Sequence, residues 1–194
     1  MLVPGRGVYC IPGREKSKNR EQHRRENSIF ADWVIFKGNA LENNKTPKDK
    51  QLATDMRYLQ MARIWATNSY CRRRQVGALL VKDKMIISDG YNGTPAGFEN
   101  YCEDENNDTK PYVLHAEANA ITKVAKSNNS SEGSTLYITT SPCMECSKLI
   151  IQAGISRVVF IEKYRNHEGL DLLKRANIEI VHIPEIIHEV IQER

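Results

Sequence analysis

TLYITTSPCMECSKLIIQAGISRVVFI, residues 135–161, carries the alternation that decides the fold. Thr135-Leu136-Tyr137-Ile138-Thr139 is β-branched and aromatic, the composition of a strand. Ser141-Pro142 has N-cap and N1 chemistry, so a helix is predicted from there to about Ala153, closed by Gly154. Arg157-Val158-Val159-Phe160-Ile161 is apolar after its Arg, as a strand buried on both faces is. A helix over about 168–176 and the strand Ile178-Glu179-Ile180-Val181-His182 follow. Together these form a βαβ crossover, which is right-handed and parallel as a rule.

Upstream, Leu52, Met56, Leu59, Ala62 and Ala66 fall three or four apart, as do Tyr58, Met61 and Trp65. This predicts a helix over about 53–68 with Trp65 in the core. Val76 to Val81 and Met85 to Asp89 read as an antiparallel hairpin turning at Lys82-Asp83-Lys84. Gly90-Tyr91-Asn92-Gly93-Thr94-Pro95 reads as the loop leaving it. Residues 96–110 form a polar loop of the length that is usually functional, placed to cover a site. His115 to Lys126 reads as a helix, and a last helix is predicted over about 184–192. The expected fold class is a three-layer α/β/α domain with a mixed five-stranded sheet.

The 194 residues, 40% of them hydrophobic, suit one domain with an extension. Residues 1–50 hold 11 Lys/Arg against 6 Asp/Glu, and residues 51–194 hold 17 against 18. The net charge of +4 therefore belongs to the N-terminal extension, read as disordered and basic, and residues 51–194 form the expected domain. A near-neutral body argues against a broad nucleic-acid surface. No apolar run is long enough for a membrane span, and no secretory signal is seen. Five cysteines, an odd number, argue against a disulfide framework and for reduced thiols in the cytoplasm.

The chemistry concentrates in His115-Ala116-Glu117 and Pro142-Cys143-Met144-Glu145-Cys146. His115, Cys143 and Cys146 are a three-ligand set for zinc, and three protein ligands leave the fourth position to water, as catalysis requires. Cys143 and Cys146 share a helix face near its positive end, which favours thiolates. Glu117 supplies a carboxylate to take a proton from that water and return it. Backbone N–H groups near Ala116 and Cys143 are free to bind developing charge. H-x-E followed by P-C-x-x-C is the zinc deaminase signature, so the implied reaction is hydrolytic deamination of an amino-substituted heterocycle. Arg72-Arg73-Arg74 reads equally as a phosphate-binding cluster or a cationic helix end. Tyr112 and Tyr164 are candidates to line the pocket. His167, His182 and His188 lie away from the metal set.

With these motifs in view, and with Gln75-Val76-Gly77-Ala78 and Leu149 to Ile155, residues 51–183 resemble the deoxycytidylate deaminases of the cytidine deaminase superfamily. The resemblance implies conversion of dCMP to dUMP for thymidylate synthesis, with one zinc per subunit on His115, Cys143 and Cys146 and Glu117 as proton shuttle. It implies a sugar contact from Asn92; Ala116, Tyr112, Tyr164 and Arg74 join it as substrate contacts on the reading of the residues alone. It implies dCTP and dTTP as effectors, with Mg2+ accompanying the triphosphate, near Gly90, Tyr91, Gly93 and Arg73. It also implies a homo-oligomer, hexamer or dimer. Some members hold a second, structural zinc on additional Cys and His. No extra His accompanies Cys71 and Cys102 here, so both are expected to be free thiols. A tRNA adenosine deaminase and a non-catalytic zinc protein related to competence remain as other readings.

Overall fold

The computed structural model describes residues 46–184, and the chain divides between Thr46 and Pro47. The elements run α1 (Pro47–Ala66), β1 (Gly77–Lys82), β2 (Met85–Tyr91), α2 (Ala116–Val124), β3 (Thr135–Thr140), α3 (Met144–Gln152), β4 (Arg157–Glu162), α4 (Glu168–Arg175) and β5 (Glu179–His182). The last helix expected, over about 184–192, lies outside the described residues, as does most of the expected extension. Residues 47–50, assigned to that extension, are the first turn of α1. Pro at the first helical position, after Thr46, is the start signal that apolar spacing alone does not show.

The sheet order is β2-β1-β3-β4-β5. β1 pairs antiparallel with β2 and β3, whereas β3–β4 and β4–β5 are parallel. This is the mixed five-stranded sheet read from the sequence. Val158, Val159, Phe160 and Ile161 are all buried, as a parallel strand covered on both faces must be. On one face Leu80, Leu136, Ile138, Val158 and Phe160 pack with Ala120, Ile150 and Leu173 of α2, α3 and α4. On the other, Leu79, Val81, Tyr137, Val159 and Ile161 pack with Met56, Leu59 and Ala62 of α1.

Three expectations change. Trp65 is not core: it is 38% exposed, and its indole N–H donates to Asp89 Oδ1 at 2.7 Å. β2 runs to Tyr91, so Gly90 and Tyr91 belong to the strand and pair with Ala78 and Gly77. Gly90 is where α2 crosses β2: a Cβ there would lie 2.1 Å from the Ala116 carbonyl oxygen. The third change concerns Cys71 and Cys102, which are joined in a disulfide rather than free. They lie 31 residues apart, and only the folding back of the long loop brings them together. Glu103, beside Cys102, pins that loop by accepting the backbone N–H groups of Arg72 and Arg73 at 2.9 and 3.0 Å.

The parallel strands end, β2 ends and β1 begins on one edge of the sheet, the usual place for a ligand in such folds. The opposite edge is tied by Asp55, 2% exposed. Arg157 grips it through two parallel bonds of 2.8 and 2.7 Å, and Tyr137 and Gln51 donate to it as well. One carboxylate thus joins α1, β3 and β4. No helix among the described residues is long and apolar enough to cross a membrane.

Burial pushes the Asp55 carboxyl up, but the hydrogen bonds from Arg157, Tyr137 and Gln51 bring it below its ordinary 3.8. A lowered folded pKa gives stability that is present above the unfolded value and lost as pH falls through the folded one. Asp55→Ala should therefore lose about 3–5 kcal/mol at pH 7, the scale for stranding one partner of a buried pair. The gap between wild type and Asp55→Asn in urea unfolding should narrow below about pH 4; a gap independent of pH would show that the pair is not its source.

Candidate active site

His115 is the N-cap of α2 and Cys143 the N-cap of α3. Neither side chain makes a capping hydrogen bond, because both turn toward one another. The start of α3 therefore lies two residues beyond the Ser141 cap that the sequence suggests. Ser141 acts elsewhere. Its hydroxyl accepts the Tyr164 N–H at 2.7 Å, and its own N–H donates to the Glu162 carbonyl.

His115 Nδ1 stands 3.5 Å from Cys143 Sγ and 3.4 Å from Cys146 Sγ, and the three ligand atoms lie within 4.8 Å of one another. A tetrahedral ion with bonds of about 2.0–2.3 Å needs ligand atoms about 3.3–3.8 Å apart. One nitrogen and two sulfurs at this spacing fit zinc and leave one tetrahedral position open. Among the described residues no other group of three His, Cys, Asp or Glu could hold an ion.

The electrostatics agree with a thiolate-bearing cluster. Cys143 is drawn down to about 3, first by the thiol of Cys146 donating to it and then by His115. The Cys146 thiol is pushed up by that same bond and by burial, so the pair shares one proton until a cation displaces it. His115 is raised by its bond to Cys143. Glu117, 4% exposed, is pushed up to about 7 by burial. That value suits a group that must both take and give a proton near neutral pH.

A cavity of about 710 Å³ opens over this cluster, within the size range of small-molecule sites. It brings together His115, Ala116, Glu117, Cys143, Asn92, Arg73, Arg74 and Tyr164. Asn92 is committed on two sides. Its Oδ1 accepts the Val76 N–H at 2.7 Å, and its Nδ2 donates to the Arg74 carbonyl at 2.9 Å. One amide N–H remains for a ligand.

Tyr112 is not brought in. Its hydroxyl donates to Glu99 Oε1 at 2.5 Å, and Lys110 reaches the same oxygen at 2.6 Å while lying 3.6 Å above the Tyr101 ring. This cluster braces the long loop instead. Gly90 is buried under α2. Tyr91 and Gly93 line a second cavity of about 250 Å³ with Lys123 and Asn119. Several cavity residues carried no signal in sequence as site groups, among them Glu103, Asp108, Thr140, Ser141 and Arg165.

Fold and site together define a deaminase of the zinc-dependent kind, with His, two Cys and an adjacent Glu at two helix starts. The family model for the cytidine and deoxycytidylate deaminase zinc-binding region matches residues 52–162, and the chain belongs to that family. It is 35% identical over 136 residues to ComE operon protein 2 of Bacillus subtilis, covering 68% of this chain and 71% of that protein. It is 34% identical over 178 residues to the deoxycytidylate deaminase of Enterobacteria phage T2, covering 70% and 95%. The crystal structure of dCMP deaminase from the cyanophage S-TIM5 in complex with dCMP and dUMP matches with a TM-score of 0.65 and 42% identity, over 72% of this chain and 100% of that one.

His115→Ala and Cys143→Ala should each lower bound zinc well below one per chain. Glu117→Gln should keep a full complement. Atomic absorption on the purified variants checks this, and zinc loss in Glu117→Gln would make the carboxylate a ligand.

Proposed function

We propose that the chain converts dCMP and water to dUMP and ammonia, supplying dUMP for thymidylate synthesis. One observation carries the reading: a buried carboxyl group, Glu117, beside the three-ligand set of His115, Cys143 and Cys146 and in the wall of a nucleotide-sized cavity edged with arginine.

Zinc bound by His115, Cys143 and Cys146 supplies the Lewis acidity that makes water a nucleophile near neutral pH. Glu117 takes a proton from the attacking water. It gives that proton to the ring nitrogen, which keeps it, then takes the proton of the hydroxyl now on the ring carbon and passes it to the amine, which leaves as ammonia. Backbone N–H groups near Ala116 and Cys143, both cavity residues, can hold developing negative charge. Asn92 offers its remaining N–H to the sugar, Tyr164 and Ala116 border the base, and the arginine edge meets the 5′-phosphate.

The resemblance extends this reading to a homo-oligomer, hexamer or dimer, controlled by dCTP and dTTP with Mg2+. Support for an effector site comes from the second cavity, where Tyr91 and Gly93 meet Lys123. Residues 1–46 carry none of the groups invoked.

Ammonia release from dCMP, CMP, deoxycytidine, dCTP and a tRNA anticodon stem tests the proposal on one zinc-loaded preparation. Turnover of dCMP is expected, with Glu117→Gln slower by at least about 10²-fold. Turnover of the tRNA stem alone would contradict the nucleotide reading. Silence on every substrate, with zinc bound and Glu117 intact, would favour an assembly role.

A further inference from the structure

A metal-binding histidine is ordinarily oriented by a second partner, a carboxylate or carbonyl that takes its other ring N–H. His115 has no such partner among the described residues: its hydrogen-bond partners are the two cysteine sulfurs. Cys143, an N-cap residue, makes no capping bond with its side chain. The aim of both side chains is therefore set by the backbone that carries them.

That backbone is bracketed at each ligand. Before His115, Leu114 and Gly93 exchange two hydrogen bonds, at 3.1 and 2.9 Å, which tie the entry of α2 to the segment leaving β2. After it, Gly90 of β2 lies against the first turn of α2. A Cβ there would stand 2.1 Å from the Ala116 carbonyl oxygen and 2.6 Å from the Ala120 nitrogen, the two atoms that an α-helix pairs at this spacing. Before Cys143, the Ser141 N–H donates to the Glu162 carbonyl at 2.8 Å. At Cys143 itself, a Cβ on Gly169 of α4 would stand 2.5 Å from the Pro142 carbonyl oxygen and 2.8 Å from both the Cys143 carbonyl carbon and Ser147 Oγ. Ser147, 0% exposed, donates its N–H and its hydroxyl to the Cys143 carbonyl, each at 2.9 Å.

Close packing alone can call for a glycine. Gly77 meets α1 in the same way, with a Cβ 2.1 Å from the Ala62 carbonyl oxygen and 2.6 Å from the Ala66 nitrogen, and no metal ligand lies there. Gly90 and Gly169 differ in what they touch: Ala116, Pro142 and Cys143 are each a ligand or its immediate neighbour in the chain. On the zinc reading of this site, we infer that Gly90 and Gly169 are positioning residues for the metal. Through them β2 and α4 pack onto the backbone of the two ligand-bearing helix starts and fix the aim of His115 Nδ1 and Cys143 Sγ. Neither glycine supplies a ligand atom. A methyl group at either crossing would face backbone rather than the end of a flexible side chain, so the helix start itself would have to move, and the ligand with it. Nothing in this depends on which base or phosphate the cavity takes.

The test is the zinc Kd by chelator competition, with the visible spectrum of the cobalt-loaded protein and the Tm of the metal-free protein. It compares full-length wild type, Gly90→Ala, Gly169→Ala, Gly77→Ala and Ser147→Ala. Gly90→Ala and Gly169→Ala should each weaken zinc about 10- to 100-fold, the scale of losing a group that orients a ligand, and shift the cobalt bands. Gly77→Ala meets the same clash as Gly90→Ala, so it should lower the Tm by a similar amount and keep the wild-type zinc Kd and cobalt spectrum. Ser147→Ala adds no bulk and removes one of two donors to the Cys143 carbonyl; it should fold and weaken zinc by about 3- to 10-fold. Wild-type zinc affinity in Gly90→Ala and Gly169→Ala, or an equal loss in Gly77→Ala, overturns the inference and leaves the zinc reading standing. Should the glycine variants not fold, Ser147→Ala decides alone: weaker zinc supports backbone positioning, and an unchanged Kd and spectrum overturn it. A wild-type protein that binds no zinc overturns both readings.

Discussion

His115 Nδ1 meets two cysteine sulfurs at 3.5 and 3.4 Å, and the rest of the structure depends on that convergence of two helix starts. It is a demand on the sheet before it is a matter of chemistry. α2 must reach the edge at which β3 ends, and it does so by crossing β2 at Gly90, where any side chain would strike its backbone. The two hydrogen bonds between Gly93 and Leu114 fix the segment entering α2. α3 starts just beyond the end of β3, with α4 pressed on its entry at Gly169. The charges follow from the geometry: a helix start stabilises thiolate, and burial beside it holds the Glu117 carboxyl near neutrality.

The rim of the site is built from distant parts of the chain. The disulfide between Cys71 and Cys102 and the Glu103 carboxylate hold the long loop against the arginine run. Asn92 holds the strand entry from Arg74 to Val76 in the same way. Glu103 and Asn92 are polar side chains bonded to backbone atoms, so that neighbouring side chains face the cavity in fixed positions. Ser141 does the same for the turn bearing Tyr164 and Arg165. The far edge of the sheet, closed by Asp55 and Arg157, keeps α1 in place without touching the chemistry.

Much of this was legible in the sequence where the signal is local. The apolar run of β4, the β-branched run of β3 and the positive-φ turn at Asp83 and Lys84 all declare themselves within a few residues. The metal ligands did so too, since each lies beside a helix start and their residue types have few other uses together. What was not legible depends on partners far along the chain. Trp65 fits a helical stripe, and only Asp89 shows why it faces outward. Ser141 looks like a cap until Tyr164 is seen to claim its hydroxyl. Tyr112 is drawn away from the pocket by Glu99, and Cys71 meets Cys102 through a loop with no periodicity.

The central claim is that two helix starts hold zinc with three protein ligands and one open position. X-ray absorption at the zinc edge of the loaded full-length protein tests it most directly. The account predicts two sulfurs at about 2.3 Å and one imidazole nitrogen at about 2.0 Å. It further predicts one light-atom ligand that is replaced when a competing anion such as cyanide is added. A shell of four protein ligands, unmoved by such an anion, would mark a closed structural site and contradict it.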